Sequence, residues 1–134
     1  MAGAVARFAR DELIAQLRET AGSARRAPGA APLDPLADAI VHGQDVARPL
    51  GRDRPMPVEQ TVAALEHVRT SRFYGARKHF RDTRLIATDC DWTAGEGSRE
   101  LRRPVGDLLM VATGRPAGLA TLSGSALDRL AAAL

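Results

Sequence analysis

The stretch from Asp34 to Arg48 constrains the fold of this 134-residue chain most strongly, because both of its ends carry helix signals. Asp34 is of a residue type that caps helix N-termini, and the proline after it suits the first helical position. Pro49 and Gly51 end the helix at the other side. Apolar residues flank the polar ones along the segment: Leu36, Ile40, Val41 and Val46. We therefore expect a helix with one face against a packed surface.

Three polar side chains of this predicted helix share one side. Asp38, His42 and Asp45 are spaced i, i+4 and i+7, so they project from the same face. Such a stripe suits divalent-metal binding or proton transfer. However, two ligands do not close a metal site, and the spacing alone favours a half-buried histidine that a carboxylate orients. The residues by themselves leave both interpretations open.

The remaining sequence predicts a helical first half and a mixed second half. Apolar spacing predicts helices over residues 10–20 and from Pro57 to about residue 72. Residues 83–89 and 99–103 are typical of short strands, and a turn at 91–97 separates them. Pro104 begins a helix that Gly114 closes. A brief strand at 118–122 and a final helix at 123–134 complete the prediction.

Three stretches match the sequence motifs of a known family: DAIVHGQDVARPLG at 38–51, ATDCDW at 87–92 and PVGDLLMVATGRP at 104–116. In this order and spacing they closely resemble the mycothiol-dependent maleylpyruvate isomerase family. The resemblance runs from about Asp11 to the C-terminus. It implies a DinB-like helical bundle that carries a divalent metal, usually zinc, and a smaller α/β domain similar to sterol carrier proteins. The expected fold class is α+β, with a partial bundle over residues 1–76 and the small domain over 77–134.

The resemblance also implies roles for four residues. The family's acidic and histidine metal ligands, spaced i, i+4, match Asp38 and His42, with Asp in place of the more usual Glu. Arg115 matches an arginine near the active site, and its alternative role is a charge that favours the helix dipole. Asp45 would orient His42 or accept a proton. The implied chemistry is that of a thiol-dependent isomerase or transferase, with zinc and mycothiol as cofactors and an electrophilic small molecule as substrate.

One part of the family pattern has no counterpart. The third metal ligand is a histidine on an earlier bundle helix, but no histidine precedes Asp38 here, and only one long helical pattern does. Half a bundle cannot bury its own apolar faces. We therefore expect an N-terminally truncated member whose partner is a second copy, as a homodimer, or a chain that supplies the missing helices. The alternative is a non-catalytic interaction or structural remnant of the same scaffold.

The amino-acid composition limits the classes of partner that the chain is expected to bind. The net charge is +3, but aromatic residues make up only 4% and acidic residues are interspersed among the arginines, so a solvated arginine-rich face is favoured over nucleic-acid binding. No 18-residue apolar run and no signal peptide are evident, so we expect no membrane contact and a cytoplasmic location.

Cys90 is the only cysteine, and Asp89 and Asp91 disfavour its thiolate. The reactive thiol would therefore be the cofactor's. His67 is predicted to be a core or surface histidine rather than a third metal ligand, because nothing in the sequence positions it next to His42.

Overall fold

The computed structural model describes residues 8–115, and the chain divides into two compact units between Ala30 and Ala31. The first unit contains helix α1 (Arg10–Thr20), which confirms the helix predicted over residues 10–20. The backbone N–H of Ala9 donates to the carboxylate of Glu12 at 3.0 Å, which satisfies one of the free donors at the helix start. None of the α1 residues is buried.

The second unit supplies the other seven elements of the described chain: α2 (Asp34–Ala47), α3 (Val58–Thr70), α4 (Ala76–His79), β1 (Thr83–Ala87), β2 (Thr93–Ala94), β3 (Arg99–Arg103) and α5 (Val105–Ala112). The fold class is α+β, as expected. The strand predicted at 118–122 and the helix predicted at 123–134 lie outside the described residues. Across residues 8–115, none of the helices has the length and apolar character needed to cross a bilayer.

Helix α2 begins and ends close to where its sequence signals stand. Asp34 lies in the first turn rather than at the cap itself, and its carboxylate accepts the backbone N–H of Ala31 at 2.7 Å. One face of the helix is buried at helical spacing: Ala37, Ile40, Val41, Gln44 and Ala47. Val46, which flanks the polar stripe in sequence, is exposed because it lies on the other side of the helix. Asp38, His42 and Asp45 are all exposed, so the polar stripe lies on the solvent side of the helix, and the half-buried position that the spacing favours for His42 is not observed.

Helix α5 lies at the centre of the second unit. Seven of its eight residues are buried, which fits its nearly continuous apolar sequence. The carboxylate of Asp89 accepts the backbone N–H of Val105 at 2.8 Å, so a side chain from the loop after β1 caps the helix start. The guanidinium of Arg48 donates to Asp107 at 3.0 Å. The end of α2 is thereby tied to the first turn of α5.

The sheet has the strand order β2-β1-β3. Strand β1 pairs antiparallel with β2 and parallel with β3, with Leu85 opposite Ala94 on one side and Leu101 on the other.

The chain must therefore cross the beginning of β1 on its way from β2 to β3. A Cβ atom at Gly97 would lie 2.1 Å from the carbonyl carbon of Asp82, and one at Gly95 would lie 2.5 Å from the carbonyl oxygen of Thr83. Glycine is required because the crossing segment runs directly against this backbone.

One hydrophobic cluster joins the helices and the sheet of the second unit. It contains Ile40 of α2, Leu65 of α3, Leu85 of β1 and Leu109 of α5. The residues on either side of the predicted boundary at 76/77 therefore share a core, and the division between compact units falls at 30/31 instead. The physical reason is that α5 follows the sheet in sequence but packs on α3.

Candidate functional site

A pocket of about 190 Å³ opens beside α2 and the C-terminal end of α5. Its lining includes Asp38 and His42 from the polar stripe, together with Arg115, which follows α5. Four further residues complete the lining: Ala37, Val41, Tyr74 and Thr113. Three of the four residues singled out in the sequence thus meet at one cavity, although Arg115 is far from the other two along the chain.

The fourth residue, Asp45, is not among the lining residues, but it contacts two of them, His42 and Arg115. Its carboxylate accepts Nε of Arg115 at 2.8 Å and Nη2 at 2.8 Å, in a bidentate ion pair. It also lies 3.1 Å from Nδ1 of His42. With its proton on Nδ1, His42 donates to Asp45 and keeps the lone pair of Nε2 for a metal or a proton. Asp45 therefore has the contacts of a residue that orients His42 and Arg115.

The charge state of Asp45 follows from these contacts. The Arg115 hydrogen bonds lower the pKa of Asp45 most, and His42 lowers it further, against an opposing effect of burial. The same pair raises the pKa of Arg115. A carboxylate with a lowered pKa is a weak proton acceptor, so the geometry favours the orienting role over the proton-accepting one. Arg115 also donates from Nη1 to the carbonyl of Thr113 at 2.9 Å, which places its charge at the helix end.

Removing the guanidinium should release Asp45. In Arg115→Ala we expect the pKa of Asp45 to rise toward its ordinary value of 3.8, because the largest stabilising contact of the carboxylate is lost. Since the pKa is lowered in the folded chain, the ion pair stabilises the fold at pH values above 3.8, and this contribution disappears as the pH falls through the folded pKa. Carboxyl-carbon NMR titration measures the change. Arg102→Ala, which removes a different ion pair, is the control; an unchanged Asp45 titration in Arg115→Ala would contradict the geometry.

Tyr74 adds a hydroxyl group to the polar lining of the pocket. Its pKa is raised, first by burial and then by the charges of Asp34 and Asp38. Asp34 in turn lies 2.6 Å from Nε2 of His67, and the His67 and Tyr74 rings meet edge to face. Tyr74 is therefore a neutral phenol at the pocket, and the negative charge of Asp34 helps to keep it neutral.

The protein contains a single tyrosine, so its ionisation can be followed directly by ultraviolet absorbance. We expect its midpoint to lie above the ordinary pKa of 10.0 and to move to lower pH in Asp38→Asn, because one of the charges that oppose ionisation is removed. Asp53→Asn, outside the pocket lining, is the matched control. Equal midpoints in the two variants would show that the Asp38 carboxylate does not act on Tyr74.

The pocket contains the two side chains that were predicted to bind a metal, a carboxylate and an imidazole. Asp38 and His42 line the same pocket from successive turns of α2. Within residues 8–115, however, no group of three histidine, cysteine or acidic side chains is placed to hold a metal ion. His67 pairs with Asp34 and is not part of the pocket lining. The described residues thus bring two potential ligands to the pocket, fewer than a zinc site needs.

The second of the three stretches that resemble the family, residues 87–92, makes contacts that stabilise the fold. Asp89 caps α5, and the indole N–H of Trp92 donates to Glu66 of α3 at 2.9 Å. Cys90 packs against the hydrophobic cluster, and burial and the charges of Asp89 and Asp91 raise the pKa of its thiol. The prediction that Cys90 is a small hydrophobic residue with a disfavoured thiolate is confirmed.

The chain matched none of the protein-family models with which it was compared, and neither curated proteins nor solved structures gave a match.

Proposed function

We propose that this chain is a module of a mycothiol-dependent, divalent-metal enzyme with a partial DinB-like bundle and a sterol-carrier-like second part, of the isomerase or thiol-transferase kind. One observation carries the proposal. Residues that the family resemblance marks in two separate stretches, Asp38 and His42 in one and Arg115 in the other, line a single pocket. A chance resemblance gives no reason for these positions to converge. A cytoplasmic location remains part of the proposal.

Asp38 and His42 would hold the metal, most simply zinc, and a second copy of the chain would supply the missing ligand. Zinc sites need at least three protein ligands, and residues 8–115 bring together only two. When bound, the metal would lower the pKa of an incoming thiol so that it reacts as thiolate. A homodimer fits a chain whose helix α1 buries none of its residues.

The chain's own residues would prepare the pocket for an electrophilic, anionic substrate. Asp45 fixes the ring of His42 and the plane of Arg115. A guanidinium has five N–H donors, and Asp45 and Thr113 occupy three of them, so two remain for a substrate carboxylate. Tyr74, held neutral, would donate a proton or a hydrogen bond from another part of the pocket lining.

Binding of mycothiol tests this proposal. With zinc present, we expect calorimetry to show saturable binding of mycothiol to the wild-type protein, and at least tenfold weaker binding without zinc, because the thiolate would be the principal contact. S-methyl mycothiol, which cannot form a thiolate, is the control ligand and should bind weakly under both conditions. Equal binding of the two ligands, or no binding with zinc present, would contradict a thiol-dependent enzyme.

A second function is favoured by the incomplete ligand set. A non-catalytic interaction module built on the same scaffold needs neither metal nor thiol, and only two donors meet in the described pocket. For this function we expect a stable oligomer whose native mass is independent of zinc. An oligomer that dissociates when zinc is chelated would argue against it.

A further inference from the structure

A second cavity, of about 200 Å³, lies at the C-terminal end of α3 and opens beside α4 and the sheet. Its floor is apolar and buried: Ala76, Phe80 and Leu85. Its rim is polar and carries two positive charges, Arg69 and Arg77, next to Thr70. No acidic side chain is among its lining residues. The cavity therefore combines an apolar base with a cationic edge.

Arg69 is held in place by contacts outside the cavity. Its Nη2 donates to Glu66 at 2.9 Å, and the other oxygen of Glu66 accepts the indole N–H of Trp92, also at 2.9 Å. The Arg69 side chain keeps about a third of its surface exposed. Its Nε is buried and has no hydrogen-bond partner within the part of the chain that the structure describes. Such a donor is costly, and a negative charge seated against the guanidinium would offset part of that cost.

Arg77 supplies the second positive charge of the cavity. It lies on α4, its side chain is exposed, and it has no ion pair among residues 8–115. The volume is sufficient for a small organic acid, since a cavity of about 150 Å³ holds benzene. We propose that this cavity binds a small monocarboxylate with an apolar body, the carboxylate between Arg69 and Arg77 and the body on Phe80 and Leu85.

Benzoate is a suitable probe, and Trp92 is a suitable reporter because it is the only tryptophan and is joined to Arg69 through Glu66. We expect benzoate to shift the indole N–H and Arg69 Nε–H resonances of the full-length protein saturably, with a Kd on the order of 1 mM for a ligand of this size. Arg77→Gln should weaken binding about tenfold, and this exposed position should tolerate the change. Arg84→Gln removes the same charge from an exposed residue outside the cavity and should leave the affinity unchanged.

Two further ligands separate the roles of charge and apolar surface. Benzyl alcohol, which lacks the charge, and inorganic phosphate, which lacks the apolar body, should each bind at least tenfold more weakly than benzoate. Equal binding of either ligand would overturn the assignment, and so would an equal loss of affinity in Arg77→Gln and Arg84→Gln. Failure of benzoate to saturate would overturn it as well. None of these results depends on zinc or mycothiol, so the inference stands or falls separately from the proposed function.

Discussion

Replacement of Leu65 by alanine is expected to lower the free energy of unfolding by about 3 kcal/mol. Leu65 has no exposed surface and lies in the middle of α3, where the hydrophobic cluster joins α2, α5 and the sheet. The substitution removes buried methyl groups and leaves a cavity that the surrounding elements cannot easily fill, because they are themselves closely packed. Denaturant unfolding, followed by the fluorescence of the single tryptophan, measures the loss.

Leu50→Ala is the matched control for this prediction. Leu50 is 66% exposed in the turn after α2, so the same chemical change should alter stability by less than about 0.5 kcal/mol. If the two variants were equally stable, Leu65 would not be part of the closely packed core that α3 shares with α2, α5 and the sheet. The candidate pocket would then lack the support that fixes α2 relative to α5.

Replacement of Gly97 by alanine is expected to lower the free energy of unfolding by about 3 kcal/mol, at the upper end of the range for overpacked sites. The new Cβ would lie far inside contact distance of the Asp82 and Thr83 backbone, which no rotamer change can relieve. The segment would have to move away from the start of β1 and would strain the parallel pairing of β1 with β3.

Gly22→Ala provides the comparison, since a Cβ there meets nothing within 4 Å. We expect its thermal unfolding midpoint to match that of the wild type within a few degrees, while that of Gly97→Ala falls clearly below it. Wild-type stability in Gly97→Ala would contradict the crossing of the chain over the beginning of β1.

Local sequence signals predicted most of the helices and strands, because the residues within each of these segments favour the structure that the segment adopts. The proline at the start of α2 and the apolar spacing of α3 are examples of signals that act within a few residues. Strand β2 was missed, since its two residues, Thr93 and Ala94, lie in a segment whose composition is typical of a turn. It exists because β1 offers a free edge beside it.

The site was predictable only in part for a related reason. Helical spacing was sufficient to group Asp38, His42 and Asp45, and the family resemblance pointed to Arg115. Tyr74 gave no signal, because its place at the pocket depends on where the chain leaves α3 and on its approach to Asp34. The bond between Asp45 and Arg115 likewise spans 70 positions and depends on how α2 and α5 pack. Long-range contacts of this kind are set by tertiary packing and leave no periodic trace in the sequence.

The most direct test of the central claim is the zinc content and native mass of the purified protein, measured together after zinc is supplied and the excess removed. Because Asp38 and His42 are proposed to bind the metal in a dimer, the wild type and His79→Ala, in which a histidine outside the pocket is replaced, should retain at least one zinc ion for each pair of chains. His42→Ala should retain almost none. A wild-type protein without zinc, or a His42→Ala variant that keeps it, would contradict the assignment of this pocket as a metal site.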